Sequence, residues 1–295
     1  MNKWIKAFRF RTLPLSFACI IVGISLSLFF DKIDISVSLL VLSTTLFLQI
    51  LSNLANDYGD FVKNTDNQDR VGEERSLQSG QIKAPQMKRM IFVFVFLSLS
   101  SGILLLLSSF GTPSLHFYLF LALGIAAIVA AIKYTMGKNP YGYKAMGDFF
   151  VFLFFGPVAI IGTFYLITHQ FNPSILFPAT AMGFFSVAVL NINNMRDIDS
   201  DKKANKITIP VLWGIQNARI YHFTLILLSF ILLSIFVILN FKNYFQGLFL
   251  LSIPIHLKIL TFVASKNNRL FDPLLKKTAI SIMITAVLFS IGLMI

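Results

Sequence analysis

The sequence predicts an all-α, polytopic membrane protein with nine transmembrane helices. Three observations lead there. Only 13% of the 295 residues are charged and 56% are hydrophobic, against about 25% charged in a soluble domain. Apolar runs near the ~20 residues a membrane span needs recur along the whole chain. The basic residues segregate between alternate loops, as the positive-inside rule requires of a real topology.

Hydropathy places the spans at 12–30, 36–55, 88–110, 116–134, 148–168, 173–195, 220–239, 244–257 and 277–295. The first begins in MNKWIKAFRFRTLPLSFACIIVG, which lacks a small-x-small cleavage site and reads as a retained first helix. Arg9 and Arg11, just ahead of it, read as interfacial anchors. With the N-terminus inside, 23 of the 25 Lys and Arg residues fall on the cytoplasmic side, and only Lys32 and Lys242 fall outside. An odd number of spans puts the termini on opposite sides, so the topology is N-in, C-out. The net charge of +12 follows mostly from this asymmetry. It suits an anionic leaflet or an anionic small molecule and does not call for nucleic acid. Cys19 is the only cysteine, so no intrachain disulfide forms, and the four histidines show no metal-ligand spacing. No linker divides the chain, which reads as a single domain over 1–295. The 32 Phe read as packing and lipid-facing residues.

Two polar islands interrupt this pattern. SNLANDYGDFVKNTDNQDR (52–70) ends the second span, and LNINNMRDIDSDKKANKITIPVLWG (190–214) ends the sixth. Both lie on the predicted cytoplasmic side. Asn53 and Asp57, Asn56 and Asp60, and Asp197 and Asp201 are each four residues apart, which puts each pair on one helix face. Two carboxylates on one face repel unless a cation lies between them, and oxygen-only clusters suit hard cations such as Mg²⁺. Arg70, Arg75, Arg196, Lys202 and Lys203 interleave with these acids, and Lys138 and Lys144 follow in YTMGKNPYGYKAMGD. Carboxylates for a metal beside cations for phosphate oxygens match the needs of a Mg²⁺–diphosphate. Taken singly, each aspartate is a solvated helix end; two such clusters on one face point to a site.

The ordered blocks FRFRTLPLSF, LSNLANDYGDFVKNTDNQDRVG, LQSGQI, YTMGKNPYGYKAMGD, FFVFLFFGP and LNINNMRDIDSDKKANK resemble the UbiA superfamily of intramembrane aromatic prenyltransferases. Within it they are similar to the 1,4-dihydroxy-2-naphthoate polyprenyltransferase branch of menaquinone biosynthesis. The resemblance implies nine helices around a central cavity that opens to lipid, with Mg²⁺ as cofactor. It implies a polyprenyl diphosphate and dihydroxynaphthoate as substrates. Metal binding would fall to Asp57, Asp60, Asp66, Asp197 and Asp201, and catalysis to Asp60, Arg70, Asp197 and Asp201. Asn53, Asn56, Arg75, Tyr134, Lys138, Asp148, Asn193 and Lys202 would bind substrate, Asp148 standing where the resemblance implies Glu. Two other readings use the same residues. One is a superfamily member with another acceptor, such as 4-hydroxybenzoate. The other is a transporter, which would place acids in mid-span and show an inverted repeat; here the acids sit at helix ends.

Overall fold

The computed structural model describes residues 3–63, 65 and 75–295. Among these residues twelve α-helices follow one another: α1 (Lys3–Phe8), α2 (Leu13–Phe30), α3 (Ile35–Val62), α4 (Ala84–Phe110), α5 (Leu115–Lys133), α6 (Gly147–Leu153), α7 (Ala159–Thr168), α8 (Leu176–Arg196), α9 (Ile198–Lys203), α10 (Ile209–Leu239), α11 (Ile253–Ser265) and α12 (Asp272–Met294). Among the described residues, nine helical segments are long and apolar enough to cross a membrane. They coincide in order and number with the nine predicted spans.

The first segment, Lys3–Phe30, is broken between α1 and α2. Arg9 adopts a left-handed conformation (φ 51, ψ 53), which costs a non-glycine residue about 1–3 kcal/mol and persists only where surrounding contacts hold it. Those contacts are in the site described below. The second segment continues past its predicted end at residue 55 to Val62. Asn56, Asp57 and Asp60 are therefore helical and partly or fully buried. Asp34 caps α3 by accepting the Val37 N–H at 2.9 Å.

The fifth segment joins α6 to α7 through a π-helical turn, Phe154–Val158. Pro157 lies inside it and has no N–H to donate, so the α ladder yields there. The seventh segment begins earlier than predicted. Residues 209–219 were expected in a loop; instead Ile209–Leu239 is helical with a kink at Gly214 (φ 77, ψ 165). The apolar residues Ile209, Val211, Leu212 and Trp213 supply that extra length.

The main core lies where α2, α7, α8, α10 and α12 meet, around Val22, Phe164, Met182, Phe185, Phe236 and Phe289. A second core joins α3 and α4 through Leu51, Leu54, Met87 and Ile91. These two bodies bring the C-terminal ends of α3 and α8 to one end of the bundle. Lys242, at the other end, packs its ammonium over Phe29 and donates to the Phe29 carbonyl at 3.1 Å.

Candidate active site

The first cluster is built on the last turns of α3. Asn53 Nδ2 donates to the Phe8 carbonyl at 2.9 Å and to Thr12 Oγ1 at 3.0 Å. These bonds tie the α1–α2 break to α3. The left-handed turn then delivers Arg9 Nη2 to Asp57 Oδ1 at 2.8 Å. Arg75 reaches the same oxygen at 2.9 Å and Asp60 Oδ2 at 3.3 Å. Asp60 Oδ1 accepts the Tyr143 hydroxyl at 2.9 Å. Gly59 makes this geometry possible, because a Cβ there would meet Thr135 Cβ at 2.6 Å. With no side chain at 59, Thr135 donates to the Ala55 carbonyl at 3.0 Å and seats the 134–146 loop on α3.

The second cluster closes α8. Arg196 is fully buried and grips Asp197 with two bonds, Nε to Oδ1 at 2.7 Å and Nη2 to Oδ2 at 2.6 Å. Its Nη2 also donates to Asn193 Oδ1 at 2.9 Å, and its Nη1 reaches Asp272 Oδ1 on α12 at 2.6 Å. One turn on, Asp201 Oδ1 pairs with Lys206 Nζ at 3.2 Å. Asp201 Oδ2 is buried without a hydrogen-bond partner among the described residues. Burial pushes the Asp201 carboxyl up to about 6; Lys206 opposes this, and Asp197 and Asp60 add to it. Burial pulls the Lys206 ammonium down, but Asp201, Asp60, Tyr134 and Asp197 outweigh it and hold it above its ordinary range. Lys206 therefore stays a cation and keeps the second cluster from repelling itself.

A short backbone bridge joins the two halves. Ala145 N–H donates to the Ile207 carbonyl at 2.8 Å, and Ile207 N–H donates to the Tyr143 carbonyl at 3.2 Å. The loop that holds Asp60 through Tyr143 is thus fastened to the turn that holds Asp201 through Lys206. Between them lies a cavity of about 200 Å³, lined by Asn53, Asn56, Asp60, Tyr134, Asn193, Asp197 and Asp201, with Arg9, Arg11, Arg75, Lys206 and Lys276 as its cations. Burial raises the Tyr134 hydroxyl to about 12, with Lys206 opposing and Asp148, Asp60 and Asp201 adding, so it remains a neutral phenol. A second cavity of about 380 Å³ shares Gln49, Asn53, Asn56, Tyr134, Val151, Phe155 and Leu190 with the first. Its remaining walls are mostly apolar and come from α2 to α7.

The structure therefore brings Asn53, Asn56, Asp60, Arg75, Tyr134, Asn193, Asp197 and Asp201 together. Other expected residues lie elsewhere. Asp57, expected among the metal ligands, does not line the cavity; it is the buried counterion of Arg9 and Arg75. Lys138 and Lys202 are exposed and outside both cavities. Asp148 accepts from Tyr221 at 3.2 Å and lines neither cavity. Asp66 and Arg70 lie outside the described residues. Arg9 and Arg11, expected as interfacial anchors, line the polar cavity, as do Lys206 and Lys276. Lys206 is turned inward by the chain reversal after α9, where its N–H returns to the Asp201 carbonyl at 2.8 Å; nothing in the local sequence marks it apart from Lys202 and Lys203.

A hard cation fits this chemistry. Among the described residues no three His, Cys, Asp or Glu are arranged as a metal cage. Mg²⁺ does not need one, since it takes one or two carboxylates and completes its shell with waters and substrate phosphates. Among the described residues the potential metal ligands lining the cavity are oxygens, Asp201 Oδ2 is buried with no hydrogen-bond partner, and the surrounding cations suit phosphate oxygens.

Arg196 also gives a stability prediction. Arg196→Met should destabilise the fold by about 3–5 kcal/mol, because it leaves Asp197 and Asp272 without their shared cation. Arg196→Lys should recover only part of this, since an ammonium cannot reproduce the two-pronged grip. Thermal melts in detergent measure both; a wild-type melt for the Met variant would contradict the assigned role.

Comparison with known proteins adds to this geometry. Residues 16–292 match the UbiA prenyltransferase family. The chain is 42% identical over 291 residues to the 1,4-dihydroxy-2-naphthoate octaprenyltransferase of Escherichia coli (strain K12), covering 98% of this chain and 94% of that protein. Its fold is similar to the apo structure of a UbiA homolog from Aeropyrum pernix K1, with TM-score 0.71 at 13% identity and 96% of each chain covered. It is also similar to a UbiA homolog from Archaeoglobus fulgidus bound to GPP and Mg²⁺, with TM-score 0.61 at 18% identity, covering 98% of this chain and 100% of that one. Motif order, helix count and full-length similarity agree: the chain belongs to the UbiA prenyltransferase family.

Proposed function

We propose that this chain transfers a polyprenyl group from polyprenyl diphosphate to 1,4-dihydroxy-2-naphthoate, with loss of diphosphate and CO₂, giving demethylmenaquinol. The observation that carries the proposal is the pair of adjoining cavities. One is ringed by acids and cations, the other is apolar, and they share a wall. A donor with a polyanionic head and an isoprenoid tail needs both at once. The reaction itself is supported by the full-length similarity to a protein that bears this activity in its name.

In this reading Asp60, Asp197 and Asp201 hold Mg²⁺, with Asp66 as a further candidate ligand. A metal held there would supply positive charge to offset that of the diphosphate leaving group. Arg75, Lys206 and Lys276, with Arg9 and Arg11, donate charge-assisted hydrogen bonds to the same oxygens. The allylic C–O bond breaks and its electron pair leaves with diphosphate. The apolar walls exclude water from the allylic cation, and Tyr134 and Phe155, which line both cavities, offer aromatic rings to such a cation. The naphthoate ring carbon that carries the carboxylate attacks the cation. The carboxylate leaves as CO₂, and its electron pair restores the ring. No base is needed to remove a proton from that carbon. The whole chain acts as one membrane domain, its helices surrounding the paired cavities and its apolar tail cavity open to lipid.

The polar cavity faces the cytoplasm in this reading, in a bacterial inner membrane with N-in, C-out topology. The support is the segregation of 23 of 25 basic residues. Impermeant thiol labelling of Lys83→Cys in intact cells should fail from outside and succeed after permeabilisation; labelling through a sealed membrane would reverse the orientation.

The reaction is tested by purified protein with Mg²⁺, an all-trans polyprenyl diphosphate and a panel of aromatic acceptors, with products identified by mass. Prenylated and decarboxylated dihydroxynaphthoate is expected. Prenylated 4-hydroxybenzoate as the preferred product would move the chain to another branch of the family, and no prenyl transfer would overturn the reading.

A further inference from the structure

Tyr143, in the 134–146 loop, lines neither cavity, yet it reaches into both acidic clusters. Its hydroxyl bonds Asp60 Oδ1 at 2.9 Å and Thr65 Oγ1 at 2.5 Å. A carboxylate can only accept, and a phenol has one proton to give. Tyr143 therefore donates to Asp60, and Thr65 donates to Tyr143. The bonds run one way, from Thr65 through Tyr143 to Asp60, and in such a chain each bond polarises the next. Thr65 is itself fixed, because its N–H returns to the Asp60 carbonyl at 3.0 Å.

The ring of Tyr143 faces the other cluster. Lys206 Nζ, which pairs with Asp201, lies over it at 5.8 Å from the centroid, and Lys63 Nζ lies over it at 5.3 Å. Both are within the reach of a cation–π contact. The hydroxyl thus meets the first cluster and the ring meets the cation of the second.

The hydroxyl is not needed to seat the loop. Thr135 already ties the loop to the Ala55 carbonyl, and Ala145 and Tyr143 already pair through their backbones with Ile207. What the hydroxyl adds is a fixed carboxylate. With Tyr143 on Oδ1 and Arg75 on Oδ2, the plane of Asp60 is set, and each oxygen keeps lone-pair capacity for another partner. We propose, resting on the function proposed above, that Tyr143 is a positioning residue: it holds Asp60 in register with Lys206 and Asp201, so that carboxylates from both clusters meet one metal–diphosphate.

The test titrates Mg²⁺ against equilibrium binding of a non-reactive prenyl diphosphate analogue. Four purified proteins are compared: the parent, Tyr143→Phe, Asp60→Ala and the double variant. Tyr143→Phe keeps the ring, and so the Lys206 contact, and removes the hydroxyl alone. It is expected to raise the half-saturating Mg²⁺ concentration at least ~10-fold, the scale of losing an outer partner of a metal ligand, with the parent's melt in detergent. In the Asp60→Ala background the same exchange has no carboxylate to position and should add less than about 2-fold. Thr65→Val, which removes only the far donor, should shift Mg²⁺ in the same direction and by less than Tyr143→Phe. An unchanged Mg²⁺ requirement in Tyr143→Phe, or an equal loss with and without Asp60, would overturn the role. A lowered melt at the parent's Mg²⁺ requirement would make Tyr143 a loop clamp instead. If the parent binds the analogue equally without Mg²⁺, the two-cluster reading itself fails and this role with it; a parent that needs Mg²⁺ beside an unmoved Tyr143→Phe removes only the role given to Tyr143.

Discussion

Asp60→Asn and Asp197→Asn are each expected to cut turnover at least ~100-fold, about 2.7 kcal/mol of transition-state stabilisation. Each exchange is nearly isosteric and removes one negative charge from the acids that face the polar cavity. Asp60 is held by Arg75 and Tyr143, and Asp197 by both prongs of Arg196. An asparagine can keep one accepting oxygen toward those partners, so the fold should survive while affinity for the cation falls. Asp199→Asn is the control from the same segment. Its side chain is 67% exposed and among the described residues pairs with Arg269, at 3.4 Å, and exposed pairs of this kind contribute at most about 1 kcal/mol. It should be silent. Turnover at saturating donor and Mg²⁺, read beside a melt in detergent, separates the outcomes. Near-normal turnover in both Asp60→Asn and Asp197→Asn would remove the acids from the chemistry.

Chelation should abolish activity, and Mg²⁺ or Mn²⁺ should restore it, because carboxylate clusters without sulfur or imidazole favour hard cations. The same treatment should barely move the melting temperature. The acids already have resident cations: Arg9 and Arg75 in the first cluster, Arg196 and Lys206 in the second. Folding therefore does not wait for metal as it does in small metal-dependent domains. Loss of activity with an unchanged melt assigns the metal to substrate. Full turnover in metal-free buffer would remove the basis of the mechanism, and a large drop in the melt would make the metal structural.

The helices were legible because each span is an unbroken apolar run whose ends are marked by charge. Hydropathy alone ended α3 at 55, short of its true end, although spacing already put Asn56 and Asp60 on one helix face: partners from distant segments pair Asp57 and Asp60 and let the helix run on to Val62. The start of α10 was missed because polar 196–208 and apolar 209–213 were read as one loop. Spacing put Asn56 with Asp60 and Asp197 with Asp201, and all four line the polar cavity, since i,i+4 geometry is a local property. It could not rank the cations around them. Lys202 and Lys206 stand four residues apart in one basic stretch, yet only Lys206 turns inward, because the chain reverses after α9 and its N–H returns to Asp201. Arg9 was unreadable for a similar reason. Its left-handed turn and its bond to Asp57, 48 positions away in sequence, arise only from packing. Asp57 shows the converse: it sits within the acidic motif, yet its place in the fold is behind the cavity wall.

In the proposed mechanism the two clusters together hold a metal–diphosphate at the mouth of an apolar cavity. Equilibrium binding of a non-reactive prenyl diphosphate analogue to the purified protein tests it without relying on the chemical step. Tight binding is expected only with Mg²⁺ present, weakened at least ~10-fold by either Asp60→Asn or Asp201→Asn, one from each cluster. Analogue binding that is equally tight without Mg²⁺, or that survives both substitutions unchanged, would contradict it.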